Sequence, residues 1–365
     1  MTEQEQALKV LRDQIDSIDK QIHLLLNQRA SCAQRVAEVK QQFQGDDVAV
    51  FYRPEREAQV LKRVMERNEG PLADKEVARL FREIMSVCLA LEKPMRVAFL
   101  GPEGTFTQQA ALKHFGHSAE SAPMASLDQV FREVEAGAAH YGVVPIENSS
   151  EGMATHTLDL FKRFNLRICG ELELKIHHHL LAQENTDFES INRIYAHQES
   201  FAQCRSWLDA HYPHAEHVTV SSNAEGARLA AKEAGTAAIA GDMAVSLYQL
   251  QVLERNIEDQ PDNSTRFLII GDQDVGVSGD DKTSILMSAH DKPGVLYSLL
   301  EPFHRHGISL TRIETRPAGQ GGWSYMFYID FEGHVDDPKV EKVLSELESG
   351  SVELKLLGSY PKAVL

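Results

Sequence analysis

Residues 3–42 read EQEQALKVLRDQIDSIDKQIHLLLNQRASCAQRVAEVKQQ, a stretch without Gly or Pro in which apolar side chains recur at alternating steps of three and four. This spacing predicts one long helix with a coiled-coil-like apolar seam. A second helix is predicted to begin at Arg53 and Pro54, where Pro suits the first turn, and a third at Asp74 as an N-cap. The seam consists of Leu8, Leu11, Ile15, Ile18, Ile22, Leu25, Cys32, Val36 and Val39. Because three helices of unequal length cannot bury so long a seam, we expect residues 1–93 to form an all-α, three-helix domain that dimerises.

Beyond Lys93 the pattern changes to short apolar runs, each followed by a Gly-containing turn and a helical stretch. Examples are RVAFL before GPEGTF and TAAIA before GDMA, and this alternation predicts an α/β domain with a mainly parallel sheet over residues 94–272. Residues 273–282 are rich in Gly and Asp and are predicted to be a linker. Residues 283–365 predict the order βαββαβ, which is a ferredoxin-like α+β domain.

The net charge of −17 on 365 residues argues against binding to nucleic acid or to an anionic membrane surface. Basic side chains are concentrated at the start, since residues 1–93 contain 15 of the 37 Lys and Arg. No stretch approaches the roughly 18 apolar residues that a membrane span needs, and we expect a cytoplasmic protein. The four scattered cysteines have no CxxC spacing and favour reduced thiols, and the run of His177, His178 and His179 has no neighbouring ligand cluster. We expect neither a cofactor nor a metal.

One residue of the apolar seam is out of place. Arg29 lies seven residues after Ile22 and seven before Val36, at a heptad core position where an unpaired charge is costly. Lys40, eleven residues further on, lies within about 20° of Arg29 around a regular helix. Arg12 points about 100° away and lies roughly 25 Å along the axis, too far to share a ligand with Arg29 in one subunit. Arg29 is either a solvated side chain at the edge of the seam or, as its alignment with Lys40 favours, part of an anion-binding site, and Arg12 could reach such a site in a partner subunit.

These positions resemble the all-helical class of chorismate mutase over residues 8–92. The stretches that carry the resemblance are LRDQID, NQRASCAQRVAEVK, RPEREAQVL and LFREIMSVCLALE. The resemblance implies that Arg29, Lys40 and the partner's Arg12 hold the carboxylates and ether of chorismate, and that Arg56 and Glu57 complete the site around the ring hydroxyl. Cys88 and Glu92 stand where many relatives have Ser and Gln, and Arg53 stands where some have an acid. An ionised Glu92 could not donate a hydrogen bond to the ether oxygen.

The middle of the chain resembles prephenate dehydratase over residues 96–271. The matching stretches are GPEGTFTQQAAL, VVPIENSSEGMATHTLDL, AHQESFAQC and NSTRFLIIG. The resemblance implies two α/β lobes, like those of periplasmic binding proteins, with substrate in the cleft between them. It also implies that Thr265 donates a hydrogen bond to the leaving hydroxyl and that Arg266 pairs with a substrate carboxylate. Other site positions implied in this way are Glu147, Asn148 and Gln203, while Ala196 stands where relatives often have Ser.

The last segment resembles the ACT family of amino-acid sensors over residues 283–360. Two motifs match those that bind phenylalanine in dehydratases, and the second usually has Ser at the position of Thr315. The residues of the first motif are Gly294, Val295, Leu296 and Tyr297, and those of the second are Glu314, Thr315, Arg316 and Pro317. The resemblance implies that phenylalanine is the effector, and a plain oligomerisation module is the alternative.

The order of the three resemblances is that of the bacterial P-protein family, which is bifunctional. The resemblance therefore implies conversion of chorismate to prephenate and of prephenate to phenylpyruvate, in a homodimer or a larger homo-oligomer inhibited by phenylalanine. A fusion of the mutase with a dehydrogenase would need a GxGxxG fingerprint after a strand, which the sequence lacks. The remaining alternatives are a dehydratase with a helical dimerisation domain and a non-catalytic amino-acid sensor.

Overall fold

The N-terminal region of the computed structural model is helical. The structure describes residues 2–44, 50–150, 152–290, 293–317, 324–350 and 353–364. The helices of this region are α1 (Glu3–Gln44), α2 (Pro54–Glu66) and α3 (Asp74–Glu92). Asp74 is the first helical residue and Ala73 the N-cap, one position earlier than predicted. α3 packs against both α1 and α2, yet most of the apolar seam of α1 is exposed, with Ile15 55% and Leu25 61% accessible.

The middle domain contains two separate sheets. Its elements in chain order are β1 (Arg96–Leu100), α4 (Phe106–Phe115), β2 (Glu120–Met124), α5 (Leu127–Glu135), β3 (Tyr141–Asn148), β4 (Gly152–Met153), α6 (Thr155–Arg163), β5 (Arg167–Lys175), β6 (His179–Ala182), β7 (Arg193–Ala196), α7 (Gln198–Gln203), α8 (Arg205–His211), β8 (Glu216–Thr219), α9 (Asn223–Ala230), β9 (Thr236–Ala240), α10 (Asp242–Tyr248), β10 (Gln251–Glu254) and β11 (Ser264–Gly271). The first sheet has the order β2-β1-β3-β11-β5, with β4 on β3, and the second has the order β10-β6-β9-β7-β8. Each sheet is the centre of one lobe, and the chain crosses between the lobes after β5 and again before β11.

The prediction of a mainly parallel sheet is wrong. β1 pairs in parallel with β2 and β3, and β7 pairs in parallel with β8 and β9. β11, however, lies antiparallel between β3 and β5, and β6 is antiparallel to both of its neighbours. The physical reason is the second crossing, because β11 returns from the other lobe and enters the first sheet in the opposite direction. The sheets are therefore mixed.

The C-terminal domain has one antiparallel sheet. Its elements are β12 (Asp281–His290), α11 (Val295–His306), β13 (Leu310–Pro317), β14 (Ser324–Glu332), α12 (Pro338–Gly350) and β15 (Glu353–Pro361). Their order along the chain is the predicted βαββαβ, and the strands lie in the order β13-β14-β12-β15. β12 begins at Asp281, inside the predicted linker, whose earlier residues pack on the helical region. Gln273 there donates a hydrogen bond to the Tyr52 carbonyl at 3.4 Å, and the Val277 carbonyl accepts one from Gln59 at 3.2 Å.

The C-terminal domain shares a hydrophobic core with the first lobe. Tyr360 and Leu357 are fully buried in one cluster with Phe161 and Ile168 of the middle domain. Gly358 has a φ of +151°, and a Cβ atom added there would lie 2.3 Å from the Ile168 carbonyl oxygen. The two domains therefore approach each other backbone to backbone, and the C-terminal sheet is fixed against the lobe that carries β3 and β11.

Candidate active sites and effector site

Three of the residues predicted for the first site come together where α1 meets the end of α3. The Lys40 ammonium lies 3.6 Å from a carboxylate oxygen of Glu92 and donates a hydrogen bond to the Phe51 carbonyl at 3.2 Å. Arg29 is near enough to act electrostatically on Glu92. Cys88 lies one turn before Glu92 and is buried. Lys40 therefore lies beside the Glu92 carboxyl group, and Arg29 is close enough to act on the same group.

The Glu92 carboxyl group is held in a way that favours its neutral form. Burial raises its pKa, and the charges of Lys40 and Arg29 only partly oppose that rise. The side chain is 12% exposed, and its Oε2 atom has no hydrogen-bond partner among the described residues. A protonated Glu92 has a donor to offer, which an ionised carboxylate lacks.

The remaining residues predicted for this site lie apart from that group in the single chain. Glu57 forms an ion pair with Arg82 at 3.1 Å, and Arg82 also donates to the Lys113 carbonyl of the middle domain at 3.2 Å. Burial raises the pKa of Glu57, and Arg82 opposes the rise. Arg12 and Arg56 are both exposed. Glu57 therefore contacts the junction with the middle domain, and Arg12 is accessible to another subunit.

The second predicted site is a cleft between the two lobes. A cavity of about 400 Å³ is lined by Glu147 and Asn148 at the end of β3, by Thr265 and Phe267 of β11, and by Gln203 at the end of α7. The N-terminal ends of α4 and α9 also line it. Backbone N–H groups at helix N-termini bind anions without any net positive charge. The cleft is therefore suited to a carboxylate-bearing ligand even though the domain is acidic.

The Thr265 hydroxyl is fixed by the side chain of Asn148. Asn148 Nδ2 donates to Thr265 Oγ1 at 2.9 Å and to Asn263 Oδ1 at 3.0 Å. Thr265 is 8% exposed. Because its oxygen already accepts from Asn148, its own proton is available for donation to a group in the cleft.

Arg266 does not face the cleft, which corrects the expectation that it pairs with a substrate carboxylate. Successive residues of a strand point to opposite faces of the sheet, so the side chain of Arg266 leaves β11 on the side away from Thr265. It is bonded to Glu171 at 2.7 Å, to Asp330 at 2.7 Å and to the Tyr360 hydroxyl at 3.2 Å. Asp330 and Tyr360 belong to the C-terminal domain. Arg266 therefore connects β11, the strand that contains Thr265, to that domain.

The C-terminal domain also reaches the edge of the cleft through β13. Arg312 forms an ion pair with Glu147, and its Nε atom lies 3.9 Å from Asp330. Arg316, on the same face of β13, lies 3.9 Å from Asp159 of α6. Nothing in the sequence indicated the contact of Arg312 with Glu147, because it depends on how two domains pack.

The two predicted effector motifs lie at one end of the C-terminal sheet. β12 and β13 both pair antiparallel with β14, so they run in the same direction and their last residues meet at the same end. Gly294, with a φ of +83°, is the N-cap of α11 just beyond β12, and Glu314 to Pro317 end β13. Tyr297 is 74% exposed. This end of the domain is open to a ligand or to a second copy of the domain.

Sequence reasoning missed two polar residues of the cleft region. His178 is 1% exposed, lines the cleft and lies 2.7 Å from Gln203. Asn263 is 2% exposed and lies between Asn148 and Gln203. His177 and His178 lie between β5 and β6, outside both strands, so no periodic pattern in the sequence marks His178. No metal-binding cluster of His, Cys, Asp or Glu occurs within the described ranges, and no helix there is long and apolar enough to cross a membrane.

The fold and the sites define a class of multidomain enzyme with a helical cationic site, a two-lobed cleft for a small organic anion, and an attached regulatory domain. Family models match each part: "Chorismate mutase type II" at residues 11–93, "Prephenate dehydratase" at 97–275 and "ACT domain" at 283–349. The chain belongs to the family of bifunctional chorismate mutase/prephenate dehydratases.

Similar proteins extend over nearly the whole chain. The bifunctional chorismate mutase/prephenate dehydratase of Pseudomonas aeruginosa is 61% identical over 366 residues, covering 100% of both chains. The protein of that name from Neisseria gonorrhoeae is 48% identical and covers 97% of each chain. Among solved structures, prephenate dehydratase from Arthrobacter aurescens in complex with L-Phe has a TM-score of 0.69 at 36% identity, covering 74% of this chain and 90% of that one.

Proposed function

We propose that this chain rearranges chorismate to prephenate in its helical domain and converts prephenate to phenylpyruvate in the cleft of its middle domain, under inhibition by phenylalanine. The observation that carries the proposal is the fixed pair of Asn148 and Thr265 inside a cleft lined by two helix N-termini. The family relationship covers the full chain and supports both activities.

The mutase reaction needs cations and a donor in a fixed arrangement. Chorismate carries two carboxylates and reacts through a compact transition state with charge developing on its ether oxygen. Lys40 and Arg29 supply positive charge beside Glu92, and the neutral form of Glu92 donates a hydrogen bond to the ether oxygen. The exposed seam of α1 and the exposed Arg12 support an intertwined dimer in which Arg12 of the partner subunit completes the site.

The dehydratase reaction needs help mainly for its leaving group. The bond between the ring and its carboxylate breaks, its electron pair enters the ring, and the ring hydroxyl leaves as hydroxide, which takes a proton from solvent to form water. Carbon dioxide and phenylpyruvate are the other products, and aromatisation supplies the driving force. Thr265 donates to the departing oxygen, while Asn148 keeps the threonine hydroxyl in place. Gln203 and the helix N-termini bind the substrate carboxylates, and Glu147 lies at the edge of the site.

Phenylalanine inhibits by binding at the open end of the C-terminal domain, between two such domains. We assign Gly294 to Tyr297 and Glu314 to Pro317 to this effector site, within a ferredoxin-like fold. Contacts of β13 with the cleft support regulation, since Arg312 pairs with Glu147 and Arg316 approaches Asp159. We take the cleft to open and close like that of a periplasmic binding protein. A shift of β13 when phenylalanine binds would alter the edge of this cleft.

Separate activity measurements test this assignment. Purified protein is incubated with chorismate, and then with prephenate, and both products are followed with and without phenylalanine. Arg29→Ala is expected to abolish mutase activity only, with Arg35→Ala as a matched control on the same helix. Thr265→Val removes the hydroxyl but keeps the branched shape, and it is expected to abolish dehydratase activity only, with the buried Thr236→Val as control. Loss of both activities from either substitution in a folded protein would show that the two-site assignment is wrong.

A further inference from the structure

Gln203 is the residue of the cleft whose orientation matters most for binding, because its amide has a donor end and an acceptor end. Its Oε1 atom lies 2.7 Å from His178 Nε2 and 3.0 Å from Asn263 Nδ2. Both neighbours are nearly fully buried, at 1% and 2% exposed. Gln203 itself is partly exposed and lines the cavity.

The direction of every hydrogen bond in this group follows from one backbone donor. The backbone N–H of Ser150 can only donate, and it donates to Asn148 Oδ1 at 2.9 Å. Asn148 Nδ2 is therefore the donor to Asn263 Oδ1 at 3.0 Å. It follows that Asn263 Nδ2 is the donor to Gln203 Oε1. The acceptor end of the Gln203 amide is thereby assigned to the interior.

The tautomer of His178 follows from the same series of hydrogen bonds. Because Gln203 presents an oxygen to His178, the histidine must carry its proton on Nε2. Burial lowers the pKa of His178, the hydrogen bond with Gln203 and the charge of Glu258 oppose this, and His179 and His177 add to it. Its Nδ1 atom has no partner among the described residues, as expected for the unprotonated nitrogen of that tautomer. The His178 backbone N–H is held by Glu258 at 2.9 Å, and Phe106 packs edge-on against the ring at 5.5 Å.

We propose that His178 and Asn263 are positioning residues that hold the Gln203 amide with its oxygen inward and its NH₂ group toward the substrate. Two donors on one oxygen leave the NH₂ end as the only part of the amide directed to the cleft. An amide fixed in this way donates to a carboxylate of the bound dianion without reorganising during the reaction. This inference rests on the proposed dehydratase function and adds two residues to it.

The test combines one disruptive and one conservative substitution at His178. His178→Leu removes the donor, and we expect dehydratase kcat/KM to fall by about tenfold to a hundredfold, the cost of a misplaced binding group. His178→Gln places an amide donor near the position of Nε2 and is expected to recover most of the activity. Asn263→Asp replaces the second donor with an acceptor, which repels Gln203 Oε1, and is expected to cause a similar loss.

A double-mutant cycle separates positioning from general damage. If His178 acts through Gln203, then His178→Leu adds little loss to that already caused by Gln203→Leu. His179→Leu is the matched control, because His179 is also 2% exposed but bonds to Asn256 rather than to Gln203. We expect it to lower thermal stability to a similar extent without a comparable drop in kcat/KM. The mutase activity of each variant reports whether the protein is still folded.

Two outcomes would overturn the proposal. Additive losses in the cycle would assign His178 a structural role that does not pass through Gln203. Equal losses of kcat/KM for His178→Leu and His179→Leu would do the same. If instead even Gln203→Leu and Thr265→Val left dehydratase activity unchanged, the proposed function of the cleft would fail, and that result is distinguishable from failure of the positioning role alone.

Discussion

Asp330→Asn is the substitution for which the structure gives the clearest expected magnitude. Asp330 is fully buried, and its carboxylate accepts from Arg266 at 2.7 Å and from Ser284 Oγ at 2.5 Å, with Arg312 3.9 Å away. It belongs to a group of three cations and three anions divided between the middle and C-terminal domains. The members are Arg266, Glu171 and Glu147 of the middle domain and Lys282, Arg312 and Asp330 of the C-terminal domain.

The charges of these six side chains sum to zero, and Asp330→Asn leaves the cluster with a net charge of +1. Breaking a buried pair by removing one partner costs about 3–5 kcal/mol, because the other charge is left uncompensated. For a cooperative unit of about 150–250 residues, this loss in the free energy of unfolding corresponds to a fall in Tm of roughly 6–20 °C. Dehydratase activity should fall as well, since Arg266 directly follows Thr265 in β11, whereas the mutase activity should persist below the transition.

Calorimetry together with the two activity assays checks this expectation. Asp336→Asn is the matched control, because Asp336 is 72% exposed and, within the described part of the chain, pairs only with His334 at 3.4 Å. It should change the free energy of unfolding by less than about 0.5 kcal/mol. A double variant that combines Asp330→Leu with Arg266→Met leaves four charges that again sum to zero. Its loss in the free energy of unfolding should therefore be smaller than the sum of the two single losses. A Tm for Asp330→Asn equal to that of the wild type would refute the reasoning.

Three further expectations concern the mutase site, the domain contact and regulation. Burial raises the pKa of Glu92, and the reaction needs its neutral form, so mutase kcat/KM should decline as pH rises through that pKa. Glu92→Gln should remove this decline between about pH 5 and 9, and a flat wild-type profile would exclude the role. Gly358→Ala places a Cβ 2.3 Å from the Ile168 carbonyl and should cost about 1–3 kcal/mol, measured by thermal unfolding. Gly307→Ala is the control, because Gly307 has a positive φ but no close neighbour. An equal loss of stability there would assign the effect at Gly358 to backbone strain alone. Arg312→Met should raise the phenylalanine concentration that half-inhibits the dehydratase by roughly 2- to 30-fold, the usual range of a coupling energy; an unchanged titration would exclude the contact with Glu147 as the route.

The parts of the molecule that the sequence predicted are those that depend on a regular period. The long helix, the starts of α2 and α3 and the βαββαβ order follow from local spacing and turn residues. The action of both Arg29 and Lys40 on Glu92 follows partly from helical geometry, which places residues eleven apart on one face of α1. In each case a short segment contains the information needed.

The parts that the sequence could not predict depend on contacts between distant segments. The direction of β11 was missed because nothing in RFLIIG records that the chain has just crossed from another lobe. Arg266 was assigned to the substrate although strand alternation alone separates it from Thr265, and its partners Asp330 and Tyr360 lie in a different domain. Asn263 gave no signal, because an asparagine before a strand is usually a turn residue.

Glu57 shows why the three domains are not independent units. Its ion pair with Arg82 leads to the Lys113 carbonyl of the middle domain, and beside it the Tyr52 hydroxyl lies 3.1 Å from His114 Nε2. Burial lowers the pKa of His114 to about 3, so the ring is neutral and shares a hydrogen bond with the tyrosine hydroxyl. The ion pair of Glu57 with Arg82, which in turn donates to the Lys113 carbonyl, therefore links the helical region to the middle domain in the single chain.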